Sequence, residues 1–205
     1  MLKNLSVVQI LSTVFMSILA VCADIVRKFA FSLIQPWVMA PGAQEIAQRL
    51  TALKVLIVDD EPTMRKVTRS LLHAIGVKDV LEANNGHSGL EAICMFAPDV
   101  VILDWEMPTP NGPEFLRRVR SPETFPRPDV PIIMLTAYGE RSRVVEAVSL
   151  GVNDFLLKPV STKALLGRFV SLIAQPRRMV KKGDFYGPEP RQLSSYKPEA
   201  DGAWI

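Results

Sequence analysis

The chain has 205 residues, 48% hydrophobic and 22% charged, with 24 Lys and Arg against 21 Asp and Glu for a formal charge of +3. That length and composition give one domain with flanking segments and exclude a disordered or low-complexity chain. Cys22 and Cys94 are too few for a disulfide framework or a zinc site, and the near-neutral stretch over residues 54–174, with 14 basic and 15 acidic side chains, has no nucleic-acid footprint, so no DNA partner is expected.

Residues 1–38 form an apolar leader. Its uncharged run at 5–23, LSVVQILSTVFMSILAVCA, is just long enough to cross a hydrocarbon core. Three readings stay open. As a membrane anchor, followed by Arg27 and Lys28, it would tether the chain to the inner membrane with the remainder cytoplasmic. As an export signal it would end at the small residues 21–23. As a mis-set start, translation would begin at Met39. The expected location is the cytoplasm, and a membrane partner is expected only under the anchor reading. Residues 39–53, with Ile46, Ala47, Leu50 and Leu53 at helical spacing, predict a lead-in helix.

A five-fold alternation of strand and helix then fills residues 54–174. The first apolar run, Val55-Leu56-Ile57-Val58, suits a strand buried on both faces. Pro62 opens the first helix, whose apolar positions Met64, Val67, Leu71, Leu72 and Ile75 run to Gly76. Further strands are predicted at 80–82, 100–103, 132–135 and 154–157, with helices over 86–96, 111–120, 139–150 and 161–173. Parallel strands need crossover helices, and right-handed crossovers cover both faces, so the pattern predicts an α/β fold with a doubly wound sheet. The longer connection at 121–131 holds four prolines. Residues 175–205 are a tail rich in Pro, Gly and charge, too short for a DNA-binding output domain, in which Phe185 and Tyr186 are candidates to pack back.

Ligands of such sheets bind outside the carboxyl ends of the strands. Those ends carry Asp59, Asp60 and Glu61 after the first strand, Asp104 after the third, Thr136 after the fourth and Lys158 after the fifth. Carboxylates from two strands at one edge repel unless one is protonated or a cation binds. Mg²⁺, an oxygen-seeking ion that keeps its waters and is held by one or two carboxylates with a phosphate, fits an open cleft, and the lysine supplies a point charge for that phosphate. His73, His87 and Cys94 stand singly and read as ordinary surface or packing residues.

The stretches VLIVDDEPTMR, VVILDWEMPTPNG, MLTAY and NDFLLKP, in this order at strand ends, resemble the receiver domains of two-component response regulators, in places the chemotaxis receivers. The resemblance covers residues 54–174 and implies a flavodoxin-like (βα)5 fold of strand order 2-1-3-4-5. It implies that Asp104 is the phosphoacceptor for a phosphohistidine, that Asp59 and Asp60 are the acidic pair which, with Asp104 and the Glu106 backbone carbonyl, binds Mg²⁺, and that Lys158 pairs with the carboxylate and then the phosphate. Its bond to Pro159 is expected to be cis. Thr136 and Phe155 match the switch pair that re-forms the face of the fourth helix, fifth strand and fifth helix of the repeat, and Glu106 and Tyr138 match positions that tune dephosphorylation. Asn111-Gly112 and Phe155 depart from the commoner Asp-Gly and Tyr.

The expected function is that of a stand-alone response regulator in a phosphorelay, a signalling protein rather than an enzyme with turnover. Its expected partners are a histidine kinase or histidine phosphotransfer protein, a downstream protein target and a second copy through the switch face. A non-phosphorylated pseudo-receiver and a membrane-tethered receiver are the competing readings.

Overall fold

The computed structural model describes residues 42–137 and 141–189. The leader, Tyr138 and residues 190–205 lie outside these. Among the described residues no helix is long and apolar enough to cross a membrane.

Helix α1 (Ala43–Ala52) precedes strand β1 (Lys54–Val58), and the alternation continues through α2 (Pro62–Ala74), β2 (Asp79–Ala83), α3 (Gly86–Phe96), β3 (Val100–Asp104), α4 (Gly112–Val119), β4 (Ile132–Thr136), α5 (Arg141–Ser149), β5 (Asp154–Leu157) and α6 (Thr162–Ala174). The five strands are parallel, in the order β2-β1-β3-β4-β5. This is the doubly wound α/β sheet expected from the alternation, with helices on both faces.

Local chemistry sets the helix starts. Pro62 stands in the first turn of α2, where its missing N–H costs nothing. Asn85 caps α3 by accepting from the Ser88 N–H at 2.9 Å. Asn111 and Glu114 form a reciprocal capping box on α4, at 2.9 and 3.1 Å. Asn111 is therefore the cap and not the first turn, so α4 begins one residue later than the helix predicted over 111–120. Ser161 caps α6 through the Ala164 N–H at 3.1 Å.

Alternation along each strand divides the core into two. Leu56, Val58, Val101, Leu103, Ile132, Met134 and Phe155 point to one face and pack with Phe115 and Leu116 of α4, Ile93 of α3 and Val144 of α5. Val55, Ile57, Ile102, Ile133, Leu135 and Leu156 point to the other and pack with Leu50 of α1, Leu72 of α2 and Leu165 and Phe169 of α6. Each large side chain so buried contributes about 1.5–3 kcal/mol. A Cβ on Gly89 of α3 would lie 2.8 Å from Val58 Cγ1 and 2.9 Å from Phe115 Cε2, so glycine there lets the helix sit down on the sheet.

Beyond α6 the chain forms an antiparallel hairpin of β6 (Met179–Lys182) and β7 (Phe185–Pro188), turning at Gly183 with φ of 59°. The sequence reading assigns no strands here. The hairpin lies against the start of β5: a Cβ on Gly151, whose φ is 85°, would meet the Tyr186 carbonyl at 2.7 Å. Lys181 pairs with Glu123, and the Tyr186 hydroxyl donates to Asp129, so the proline-rich loop is held by the hairpin. Beneath this contact lies Arg120, only 6% exposed. Its guanidinium donates to the carbonyls of Gly151 and Val130 and to Asn153 Oδ1, each at 2.9 Å, and to the Pro128 carbonyl. Burial lowers its pKa to about 10, so it stays protonated at neutral pH.

Arg120→Met should leave these buried acceptors without a donor and cost about 3 kcal/mol of stability. Urea unfolding of the two proteins checks this through the shift in midpoint at unchanged slope.

Candidate functional site

The parallel register aligns the carboxyl ends of the strands. Val58 pairs with Leu103, Asp104 with Leu135 and Thr136 with Leu157, which sets Asp59, Asp104, Thr136 and Lys158 along one sheet edge. Asp104 is the last residue of β3, fully flanked by β1 and β4, and is 5% exposed; Asp59 is 1% exposed. Asp60 faces solvent. One carboxylate oxygen from each of the three lies within 4.8 Å of the others.

Lys158 reaches this cluster from β5. Its Nζ stands 2.9 Å from Asp104 Oδ1 and 3.2 Å from Asp59 Oδ2. The Lys158–Pro159 bond is cis, as the motif implies, and so is Thr109–Pro110, which the sequence reading does not foresee. The Asp59 carboxylate also accepts the Glu61 N–H at 2.8 Å. Arg65 of α2 adds a brace that the sequence reading misses: its Nη1 donates to the carbonyls of Asp59 at 2.8 Å and Asp60 at 3.2 Å, and its Nε pairs with Glu82. An arginine one turn into an amphipathic helix carries no sequence signal for such a role.

Burial lifts the Asp104 carboxyl above its ordinary pKa and the Asp59 charge adds to that; the hydrogen bond and charge of Lys158 and the Glu106 backbone N–H pull the other way without cancelling it. Burial also works against the Lys158 ammonium, but its hydrogen bond to Asp104 and the charges of Asp104 and Asp59 outweigh it and hold its pKa above the usual range. The Lys158 ammonium pairs with Asp59 and Asp104 while Asp60 adds a third carboxylate, so the cluster has room for further positive charge. An all-oxygen donor set, part buried and part open to water, fits a hard divalent ion such as Mg²⁺.

Thr136 ends β4, buried, and its carbonyl accepts the Lys158 N–H at 2.8 Å. Phe155 is buried in β5. The two line one small cavity, about 10 Å³, with Trp105, Met134 and Val144. Glu106 is exposed and lines a cleft of about 420 Å³ with Asp60, Trp105, Asn111 and Arg143. Tyr138, the other expected tuning position, lies outside the described residues. His73 and His87 are exposed and stand apart from the cluster, as does the free Cys94.

A doubly wound 2-1-3-4-5 sheet with a paired lysine and an acidic cluster at its carboxyl edge defines a receiver-type signalling domain. The sequence pattern of the response regulator receiver domain matches residues 55–169, and the chain belongs to that family. Chemotaxis protein CheY1 of Helicobacter pylori is 39% identical over 114 residues, which is 55% of this chain and 90% of that protein. Chemotaxis protein CheY of Pseudomonas aeruginosa is 35% identical over 113 residues, 55% of this chain and 90% of that one. Among solved structures, Vibrio cholerae chemotaxis protein CheY4 superposes with a TM-score of 0.51 at 31% identity, covering 56% of this chain and 93% of that one. A Francisella response regulator receiver domain gives 0.53 at 28% identity, covering 60% and 97%. The chain is thus a receiver domain of the chemotaxis-like response regulators, the phosphorylatable class in two-component signalling.

Crowded charge at a functional site lowers stability, and neutralising it restores some. In metal-free protein at neutral pH, Asp104→Asn should raise stability by about 1 kcal/mol. A carboxyl whose folded pKa is raised destabilises the fold above that pKa, and the loss is recovered as pH falls through it. The advantage of the Asn variant should therefore shrink on acidification, which thermal melts across a pH series measure.

Proposed function

We propose that this chain takes a phosphoryl group onto Asp104 from the phosphohistidine of a histidine kinase or histidine phosphotransfer protein. The observation that carries the reading is the Lys158 ammonium held between Asp59 and Asp104, at 3.2 and 2.9 Å, on an edge where three carboxylates meet. An Asp104 oxygen forms the new bond to phosphorus. The bond from phosphorus to the donor imidazole breaks, and the imidazole nitrogen keeps the electron pair. Lys158 stays within reach of the transferred oxygens as a point charge, and the Thr136 hydroxyl, on the next strand of the edge, donates to one of them. Asp59, Asp60, Asp104 and the Glu106 backbone carbonyl would hold Mg²⁺, which when bound supplies the charge that lets an anionic phosphoryl group approach.

The output is a protein contact. Phosphorylation draws Thr136 toward the new charge, Phe155 repacks behind it, and the face of α5, β5 and α6 changes. That face carries exposed Val145 and Leu166, at 45% and 37%, apolar anchors for a downstream protein or for a second copy. Glu106 and Tyr138 set how readily water reaches the phosphate. The cytoplasm is the place of action that such partners require.

Intact mass of the full-length chain after incubation with acetyl phosphate tests this. The expected result is a gain of one phosphoryl group in Mg²⁺, slowed at least about tenfold in EDTA and absent from Asp104→Asn. A chain that gains no mass from acetyl phosphate or from a phosphohistidine donor would be an interaction module without phosphoryl chemistry.

A further inference from the structure

At the opposite edge of the sheet from the acidic cluster lies an apolar groove of about 480 Å³. Asp99 just before β3 and Pro131 just before β4 belong to its lining, which places it at the amino ends of the strands. One side is α1 with Ala52; the other is α6 with Phe169 and Leu172, and Pro176, just past α6, is part of the same wall. The receiver pattern matches residues 55–169, so α1 and the residues past Phe169 lie outside it, and the groove is largely this chain's own. Its charged lining residues already have partners: Arg49 pairs with Glu45 at 2.8 Å, and the Asp99 carboxylate accepts the Lys54 N–H at 2.8 Å. What the groove offers an occupant is apolar surface.

The chain itself supplies apolar side chains from the right place. The hairpin of β6 and β7 returns antiparallel to its own start. There the Glu189 N–H donates to the Arg178 carbonyl at 2.8 Å, and Arg177 Nη1 donates to the Glu189 carbonyl at 3.2 Å. Arg177 directly follows Pro176 of the groove wall. Residues 190–205, PRQLSSYKPEADGAWI, continue from that point. An extended chain advances about 3.3–3.6 Å per residue, ample for Trp204 and Ile205 to come back to the groove. These two follow Gly202 and Ala203, so no charged or bulky neighbour has to enter with them, whereas Leu193 and Tyr196 are flanked by polar or charged residues. An indole buries about 150–250 Å², and cavities of about 300–1,000 Å³ suit occupants of this size.

We propose that the groove between α1 and α6 is the docking site of this chain's own segment 190–205, with Trp204 and Ile205 as its anchors. The segment is then a strap that fastens α1 to α6, and an apolar partner reaches the groove only by displacing it. The proposal is independent of the chemistry at Asp104, because the groove lies at the amino edge of the sheet and the acidic cluster at its carboxyl edge.

The test uses the full-length chain labelled with fluorotryptophan and read by fluorine NMR. Of the resonances from its three tryptophans, the one missing from Trp204→Phe belongs to Trp204. A pocket covers about 70–90% of its occupant's surface, so relaxation of this resonance by a neutral gadolinium chelate should be about threefold to tenfold weaker than in the urea-unfolded chain. Ala52→Phe fills the groove from an exposed position on its wall, and Leu172→Gln makes the facing wall polar. Each should return the Trp204 relaxation to the unfolded-chain value, Ala52→Phe without loss of melting temperature. A Trp204 resonance relaxed as strongly in the folded wild type as in urea would overturn the inference. Protection that survives both substitutions would place Trp204 elsewhere on the molecule and overturn it as well. Protection that fades on dilution would give the groove to the same segment of a second copy and sink the intramolecular strap.

Discussion

Like-charge crowding at the end of β1 and β3 is the constraint around which the domain is arranged. Two unit charges 4 Å apart interact by about 4 kcal/mol at the effective dielectric of a protein surface, and here three carboxylates have oxygens within 4.8 Å while one ammonium answers them. Left to local preference, the strand ends would splay. They are held because β1, β3 and β4 are buried on both faces, with nearly every side chain of these strands fully enclosed. Stability built into the two apolar layers is what permits an unfavourable charge arrangement at the edge.

The same logic explains the tight backbone behind Asp104. A Cβ on Gly112 would lie 2.6 Å from the Asp104 carbonyl oxygen and 2.8 Å from Trp105 Cα, and the Gly112 N–H donates to the Trp105 carbonyl at 3.1 Å. The segment after the acceptor thus folds back on itself before entering α4, and the capping box at Asn111 and Glu114 secures the entry. Gly86 makes a second close approach, to Pro110. The loop that bears Glu106 and Asn111 is therefore held by close backbone contacts at the starts of α3 and α4.

Most of the sheet was legible because its residues obey short-range rules. Short continuous runs such as Val55–Val58, bounded by turn residues, suit strands enclosed on both faces, and the residues just past such strands fall at the carboxyl edge whatever the loop details. Asp59, Asp60, Asp104 and Lys158 were found together for that reason. What stayed hidden depends on long-range geometry. Arg65 and Arg143 look like any arginine on an exposed helix face until the fold sets one on the Asp59 and Asp60 carbonyls and the other over Trp105. The hairpin escaped notice because four-residue strands reading Met-Val-Lys-Lys and Phe-Tyr-Gly-Pro have no alternation strong enough to outweigh their Gly, Pro and charge content. Its order comes from contacts with Gly151, Glu123 and Asp129, residues distant in sequence, and from the buried Arg120 that ties the same loop to the sheet.

The packing around Phe155 bears on how a charge event at Asp104 could reach the opposite end of β5. The cavity shared by Phe155, Thr136 and Trp105 measures about 10 Å³, roughly the space of a single water probe and far less than a phenyl ring needs to turn. Phe155 is only 2% exposed, so its ring has no free volume on the outer side either. Under the proposed switch, a rearrangement at Thr136 would therefore have to move the side chains that line this cavity. One of the elements lining this cavity is α5, which packs through Val144 and Ala147 while Val145 stays exposed. Close packing of this kind would let the proposed shift of one hydroxyl act on a helix position and not dissipate in free volume.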